Sequence, residues 1–430
     1  MKTRMLMGVA AVAASALLAS CATTGGGGST GTQAPGGKVS LRFQSLAFQA
    51  PTVAASKKIV ADWNAAHPDI QVEYVQGSWD AVHDQLVTQF QGGTAPDIIH
   101  DESADITGFA KQGYLADLTP YLSAETRSAV DPGIWKTVTV DGKVVAAPTL
   151  LQSYVVFANT DLLKKAGVTV PTGSSWGWDD FRAAAKQAST GTSAGLGWGL
   201  KQPTATVMSL GLNFDGTFFS TSGDKTTIKV GAAETQVPER IHQMAWTDNS
   251  LDRTSLTLGG SDVLTAFLAG KYAMTVGGNY AAQQLKEKAP SGFQWVVLPP
   301  LKGTSAQQAA NPQTMSVSAQ SKNVKAAAQF VDYFMQAKNL ASVAQGDWLI
   351  PTSGAARDAV AQATGGKDGW DQTLASGKEL TQAPFQSVNA YPQWKDQIAT
   401  PALQQYFSNK IDLEALRTQL TQGWSQVNRG

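Results

Sequence analysis

"KVSLRFQSLAFQAPTVAASKKIVADWNAAHPDIQVEYV" runs from Lys38 to Val75, and its hydrophobic spacing changes twice. Residues 39–43 alternate apolar and polar, the period of a strand with one face buried. Residues 53–66 place Ile59, Val60 and Trp63 on one helical face, and residues 70–75 return to strand spacing. A helix over 79–90 and a short buried strand at Pro96 to His100 follow. Strand, helix, strand, helix, strand is the order of a layered α/β sheet and not of a bundle or a sandwich.

The same order resumes further on. Residues 155–158 read as a strand, 161–166 and 179–189 as helices, and 195–200 as a glycine-rich strand. A helix at 261–269 precedes strands at 271–276 and 293–298, the last ending on Pro299-Pro300. Residues 323–337 form an amphipathic helix carrying Val324, Ala327, Ala328, Val331 and Phe334 on one side. The tail reads as two helices, 394–407 and 412–427, with Asp412 as the N-cap of the second. The chain therefore divides into two similar α/β halves without a short repeat.

Composition narrows the function. The 430 residues hold 33 Lys and Arg against 33 Asp and Glu, so no basic nucleic-acid surface is expected. At about 150 residues per domain the length predicts two or three domains, and 43% hydrophobic residues are enough for their cores. The N-terminus has its own grammar: Lys2 and Arg4, an apolar run over 6–18, then Ala19, Ser20 and Cys21. A basic start, a short apolar run and small residues at its end are the parts of a secretory signal, too short to span a membrane. Leu18-Ala19-Ser20-Cys21 resembles the bacterial lipobox, whose cysteine is lipidated and becomes the new N-terminus. Residues 1–20 are then a signal peptide, and residues 22–37, all small, polar or proline, a flexible tether behind the lipid. Cys21 is the only cysteine, so a disulfide scaffold is excluded.

Longer stretches resemble one family, the bacterial extracellular solute-binding proteins of the sugar-binding type. "HDQLVTQFQGGTAPDIIHDES" (83–103) is similar to that family's helix, "AxGxxPDv" turn and strand, and "GYLADLTPYL" (113–122) to its "GxLxdLtpy" stretch. "DGKVVAAPTLLQSYVVFANTDLLKKAGVTVPTGSSWGWDDFRAAAKQAS" (141–189) resembles its central signature. "AFLAGKYAMTVGGNYAA", "VLPPLKG" and "SVSAQSKNVKAAAQFVDYF" resemble later motifs, in the family's order. Two positions depart from the pattern: Ala158 stands where the family has Tyr before Asn159, and Tyr280 where it has Trp. The resemblance implies a type II periplasmic-binding-protein-like fold, two α/β lobes joined by crossovers with a ligand cleft between them. With crossovers near Pro148, Pro299 and Ala337, lobe one is 38–148 plus 300–337, and lobe two 149–299 plus 338–430. It also implies hinge closure on the ligand and delivery to an ABC permease, from a lipid-anchored position outside the cytoplasm, by a protein expected to be a monomer. No cofactor, metal or nucleic acid is implied.

Independently of the resemblance, ligands of open α/β sheets sit beyond the carboxyl ends of the strands. In the first half those ends deliver Gln44, Ser45 and Gln49, then Ser78 and Trp79, then Asp101 and Glu102. In the second they deliver Gln152, Gln202, Asn279 and Tyr280. Amides, carboxylates and aromatic rings with almost no cation suit a neutral polyhydroxyl ligand, whose hydroxyls pair with the polar groups and whose C–H faces lie on the rings. The resemblance adds Trp348 and Trp394 as lobe-two contacts. The alternatives at these positions are packing for the aromatics and helix capping for Asp101 and Glu102. Trp63, Trp176 and Trp178 read as packing residues.

Rival functions meet obstacles. A glycosidase needs two carboxylates facing each other across the scissile bond, whereas Asp101 and Glu102 are adjacent and diverge. "GTSAG" (191–195) fits the GxSxG pattern, but a helix precedes it and a strand follows, the reverse of a nucleophile elbow. The four histidines are scattered, and His100-Asp101-Glu102 reads as a solvated strand end and not as a metal site. No phosphate loop occurs. A peptide or polyamine ligand remains the alternative within the binding class, and a secreted carbohydrate-active enzyme the alternative outside it.

Overall fold

The computed structural model describes residues 37–428 apart from 192, 223 and 224. Cys21, the signal sequence and nearly all of the tether lie outside the described residues. No helix among the described residues is long and apolar enough to cross a membrane.

Two sheets organise the body. The first runs in the order Ile70–Gln76, Val39–Ser45, Ile98–Glu102, Gln313–Val317, Ala146–Pro148. Its first three strands are parallel; Gln313–Val317 runs antiparallel to both neighbours. Leu41 and Phe43 point into the core from the second of these strands. There the Phe43 ring meets Phe330 at 5.6 Å and Phe334 at 6.0 Å, on the amphipathic helix Val324–Phe334. Helix Ala50–Ala66 buries Ile59, Val60 and Trp63 as its spacing requires. It begins three residues earlier than predicted because Pro51 sits in the first turn, where its missing N–H costs nothing.

The second sheet runs Ala194–Trp198, Tyr272–Gly278, Tyr154–Asn159, Trp295–Val297. The first pair is parallel and the other pairs are antiparallel. Trp176 and Trp178 are buried beside Phe181 in the core of this half, as packing residues. The predicted helix 394–407 is uneven: Tyr391–Trp394 and Thr400–Phe407 are α-helical, and the turn between them, Lys395–Ala399, widens to a π-helix.

The chain passes from one sheet to the other after Pro148. Crossover strand Leu150–Leu151 pairs antiparallel with a second crossover, Ile350–Pro351. Thr352 Oγ1 donates to the carbonyls of Pro148 (2.7 Å) and Thr149 (3.0 Å), tying the two segments together. Helix Ala337–Asp347 packs along Ala50–Ala66, on the side of the first sheet. The last crossover therefore follows Asp347, ten residues beyond the expected point at Ala337, since Ala337 begins a helix whose apolar face needs the first half's core.

Candidate ligand cleft

The parallel strand ends of the first sheet face a cavity of about 640 Å³, walled by residues of both halves. That lies within the roughly 300–1,000 Å³ of small-molecule sites.

On the first-sheet side, strand Ile70–Gln76 runs into Gly77-Ser78-Trp79-Asp80, all four on the cavity. The turn holds because Ala81 takes a left-handed backbone (φ 55°), and this delays the next helix to Val82–Gln91. Trp79 stands edge-on to His100, 5.5 Å between centroids. His100 Nδ1 accepts from the Leu46 N–H at 3.0 Å, so the ring proton is on Nε2, 3.1 Å from Gln313 Oε1. Burial pushes His100 down to about 4, so it stays neutral. Bonded in this way, it leaves Gln313 its amide N–H groups for the cleft. His100 is thus a buried wall support, not a solvated strand end.

Strand alternation separates the two carboxylates. Asp101 is 0% exposed and off the cavity; its Oδ1 accepts from the Glu102 N–H, and its Oδ2 has no hydrogen-bond partner among the described residues. Burial and the neighbouring Asp105 charge push the Asp101 carboxyl well up. Glu102 points the other way, onto the cavity. It does not cap the helix Ser103–Lys111 that follows. Instead its Oε2 accepts from Asn311 Nδ2 at 2.8 Å, and Asn311 is itself oriented by Ser103 Oγ (2.9 Å) and the Ala104 N–H (3.1 Å) donating to its Oδ1. Burial, then the Asp105 charge, raises Glu102 to about 7, against the pull of Lys395 and the Asn311 bond.

Gln44, Ser45 and Gln49 lie behind the wall, not on it. Gln44 is packed beneath Gly77, and Ser45 Oγ accepts from the Ala47 N–H at 3.3 Å. Gln49 Nε2 donates to Asp347 Oδ1 and to its carbonyl (both 3.2 Å), with the Tyr280 carbonyl at 3.5 Å. The residue from that loop on the cavity is Phe48, 56% exposed and edge-on to Tyr280 at 6.3 Å. Asp347 also reaches the cavity; burial lifts it to about 6, although Thr52 Oγ1 (2.6 Å) and Gln49 donate to it.

The second-sheet side presents Gln152, Tyr154 and Tyr280. A Cβ on Gly278 would lie 2.3 Å from the Tyr280 ring and 3.0 Å from the Gln152 amide, so only glycine lets both approach there. Asn279 is wholly buried: its Oδ1 accepts from the Ser153 N–H (3.1 Å), and its Nδ2 donates to the Trp348 carbonyl (2.7 Å). Gln202 is exposed and away from the cavity, carried off by the bend before helix Thr204–Gly211.

Neither added tryptophan lines the cleft. Trp394 is 0% exposed, its Nε1 donates to the Leu420 carbonyl (3.1 Å), and its ring packs on Phe219 at 5.0 Å. Trp348 ends helix Ala337–Asp347 in a left-handed conformation (φ 57°) and stacks on Trp370 at 4.7 Å. That reversal turns its ring away while Asp347 and Leu349 face the cavity.

The tail supplies what sequence reasoning did not reach: Phe385, Tyr391 and Lys395. Lys395 opens the π-helical turn, a feature that re-aims side chains. Its ammonium lies 3.7 Å from Asp105 Oδ1. Burial works against the charge, but Asp105 and Glu102 outweigh it and hold the ammonium well above the ordinary lysine range. Asn311 and Gln313 were missed for a different reason. Gln313 opens an antiparallel strand and Asn311 lies two residues before it, so the amino end of that strand, not its carboxyl end, reaches the cleft.

Comparisons with known proteins agree with this architecture. Residues 49–341 match the bacterial extracellular solute-binding protein family. An uncharacterized lipoprotein in the oleD 5′ region of Streptomyces antibioticus is 42% identical over 89% of this chain and 85% of its own. A Listeria monocytogenes ABC substrate-binding protein in complex with cycloalternan superposes with a TM-score of 0.77 at 21% identity, over 90% of this chain and 99% of the other. The GacH receptor of Streptomyces glaucescens, solved unliganded and with acarbose, gives a TM-score of 0.76 at 21% identity over 91% and 98%. Two α/β lobes about a cleft, the ordered motifs and the match over residues 49–341 place this chain in the bacterial extracellular solute-binding protein family.

Proposed function

We propose that the chain is the substrate-binding lipoprotein of an ABC importer, capturing a mono- or oligosaccharide in the interlobe cleft and delivering it to a membrane permease. The observation that carries this reading is one cavity walled by both lobes, in which six aromatic rings (Phe48, Trp79, Tyr154, Tyr280, Phe385, Tyr391) stand among amides, hydroxyls and carboxylates. Rings take the C–H faces of a pyranose, and the polar groups pair with its hydroxyls. The relatives point the same way, for a Bacillus subtilis maltodextrin-binding protein is 29% identical over half of the chain. In this reading lobe one comprises residues 38–148 and 310–347, and lobe two 149–309 and 348–430: the crossover expected near Pro299 falls after Ala309, because Leu301–Lys302 pair with Trp176–Gly177 and Gln308–Ala309 with Leu380–Thr381. Ligand held by one lobe favours the closed state because only closure adds the other lobe's contacts. The permease then reads the paired lobes, and a lipid on Cys21 keeps the monomeric protein at the outer face of the membrane.

Titrating the purified protein with a panel of mono- and oligosaccharides, read by tryptophan fluorescence and melting temperature, tests the ligand class. Saturable quenching and a raised Tm with a sugar are expected. A response to peptides or polyamines and to no sugar overturns the class, and turnover of a glycoside overturns binding as the function. Cys21→Ala releases the protein from membranes with sugar affinity unchanged, measured by fractionation and titration.

A further inference from the structure

The charged groups on the cleft are unequal in number. Asp80, Glu102 and Asp347 line it, against one cation, Lys395, and among the described residues no arginine does so. Lys395 is already matched, because its ammonium sits 3.7 Å from Asp105, a buried carboxylate one helical turn behind the wall. Glu102 and Asp105 thus share one ammonium, and Asp80 and Asp347 have no ion-pair partner among the described residues. Asp347 is partly satisfied by Thr52 and Gln49. Glu102 has only the Asn311 amide on Oε2, and its other oxygen takes no hydrogen bond from the described residues. Neutral hydroxyls compensate a desolvated carboxylate less well than an ammonium does, since charge-assisted bonds are about twice as strong. Tyr154 and Tyr391 line the same cavity as Glu102, and the face of a tyrosine ring attracts a cation within about 6 Å.

Resting on the sugar-binding reading, we propose that the ligand is an amino sugar, or an oligosaccharide containing one, whose protonated amine is held by Glu102. Lys395 then has a second role. It neutralises Asp105 so that the local field favours one added positive charge and not two, and its own ammonium remains a donor to a neighbouring hydroxyl. Burial and the Asp105 charge raise Glu102 to about 7 although Lys395 pulls it down, so an ammonium beside it would offset a charge that Lys395 only partly balances.

Matched sugars test this in the full-length protein. Glucosamine, galactosamine, mannosamine and the β-1,4-linked glucosamine disaccharide are titrated beside their hydroxyl twins glucose, galactose, mannose and cellobiose, and beside their neutral N-acetyl twins, by calorimetry at pH 6.5. At least one amine is expected to bind about tenfold or more tighter than both neutral twins, and Glu102→Gln is expected to reduce that ratio to about one. The wild-type ratios alone decide the matter should the variant fail to fold. Neutral twins binding as tightly as the amines overturn the proposal while leaving the sugar-binding reading in place. A panel in which no amine binds overturns it too; if spermidine or a peptide binds instead, the sugar-binding reading falls with it.

Discussion

The two walls of the cleft are built on different principles. On the first lobe, polar side chains stand at strand ends and are oriented by buried relays: Leu46 N–H to His100 to Gln313, and Ser103 with Ala104 to Asn311 to Glu102. On the second lobe, Phe385, Tyr391 and Lys395 come from short turns of the tail, held by a core beneath them. One wall fixes hydrogen-bond direction, and the other supplies stacking surface on a packed cushion. Regular strands suit the first task because their alternation sets direction, while the second needs only a firm backing.

Perturbing each wall sharpens this contrast. Trp394→Ala removes the cushion and is expected to cost about 3–5 kcal/mol of stability, read by urea unfolding. A loss below about 1 kcal/mol would show that the tail wall is not core-anchored. If the cleft holds a sugar as proposed, Tyr280→Ala strips stacking surface from it and is expected to lower affinity by about 2 kcal/mol, roughly thirtyfold, with little change in Tm. Calorimetry beside thermal melting separates the two. His100→Leu breaks a relay, leaving the Leu46 N–H without its acceptor and Gln313 free to rotate. Stability should fall by about 1–2 kcal/mol and affinity with it, whereas unchanged affinity would contradict the orienting role.

A pH dependence tests the first wall in another way. Glu102 rises in the folded state from 4.5 to about 7, so folding favours its protonated form. Its contribution is complete below pH 4.5 and is lost as pH rises through 7. The Tm of the wild type relative to Glu102→Gln should therefore decline across that window and level off above it. A gap that stays constant with pH would remove the buried-carboxylate account.

Much of this was legible in the residues. Strand–helix alternation located both sheets, and the carboxyl-end rule reached Trp79, Glu102, Gln152 and Tyr280. It misled where local geometry intervened. Asp101 shares a strand end with Glu102 but faces the opposite side. Gln44 and Asn279 are polar residues absorbed into the interior, Gln44 beneath Gly77 and Asn279 as a brace between the Ser153 N–H and the Trp348 carbonyl. Trp348 is turned away by a left-handed helix end that no hydrophobic period announces. Gln313 begins, and Asn311 just precedes, a strand whose direction depends on long-range pairing. Lys395 owes its aim to one widened helical turn.

The pairing of Leu150–Leu151 with Ile350–Pro351 limits how the molecule can move. Two connectors hydrogen-bonded to each other cannot swivel separately; they form one axle. In the hinge closure we propose, these two connectors turn together, and a ligand held by both lobes at the front would fix the angle between them. A partner that never touches the ligand could then detect it by that angle.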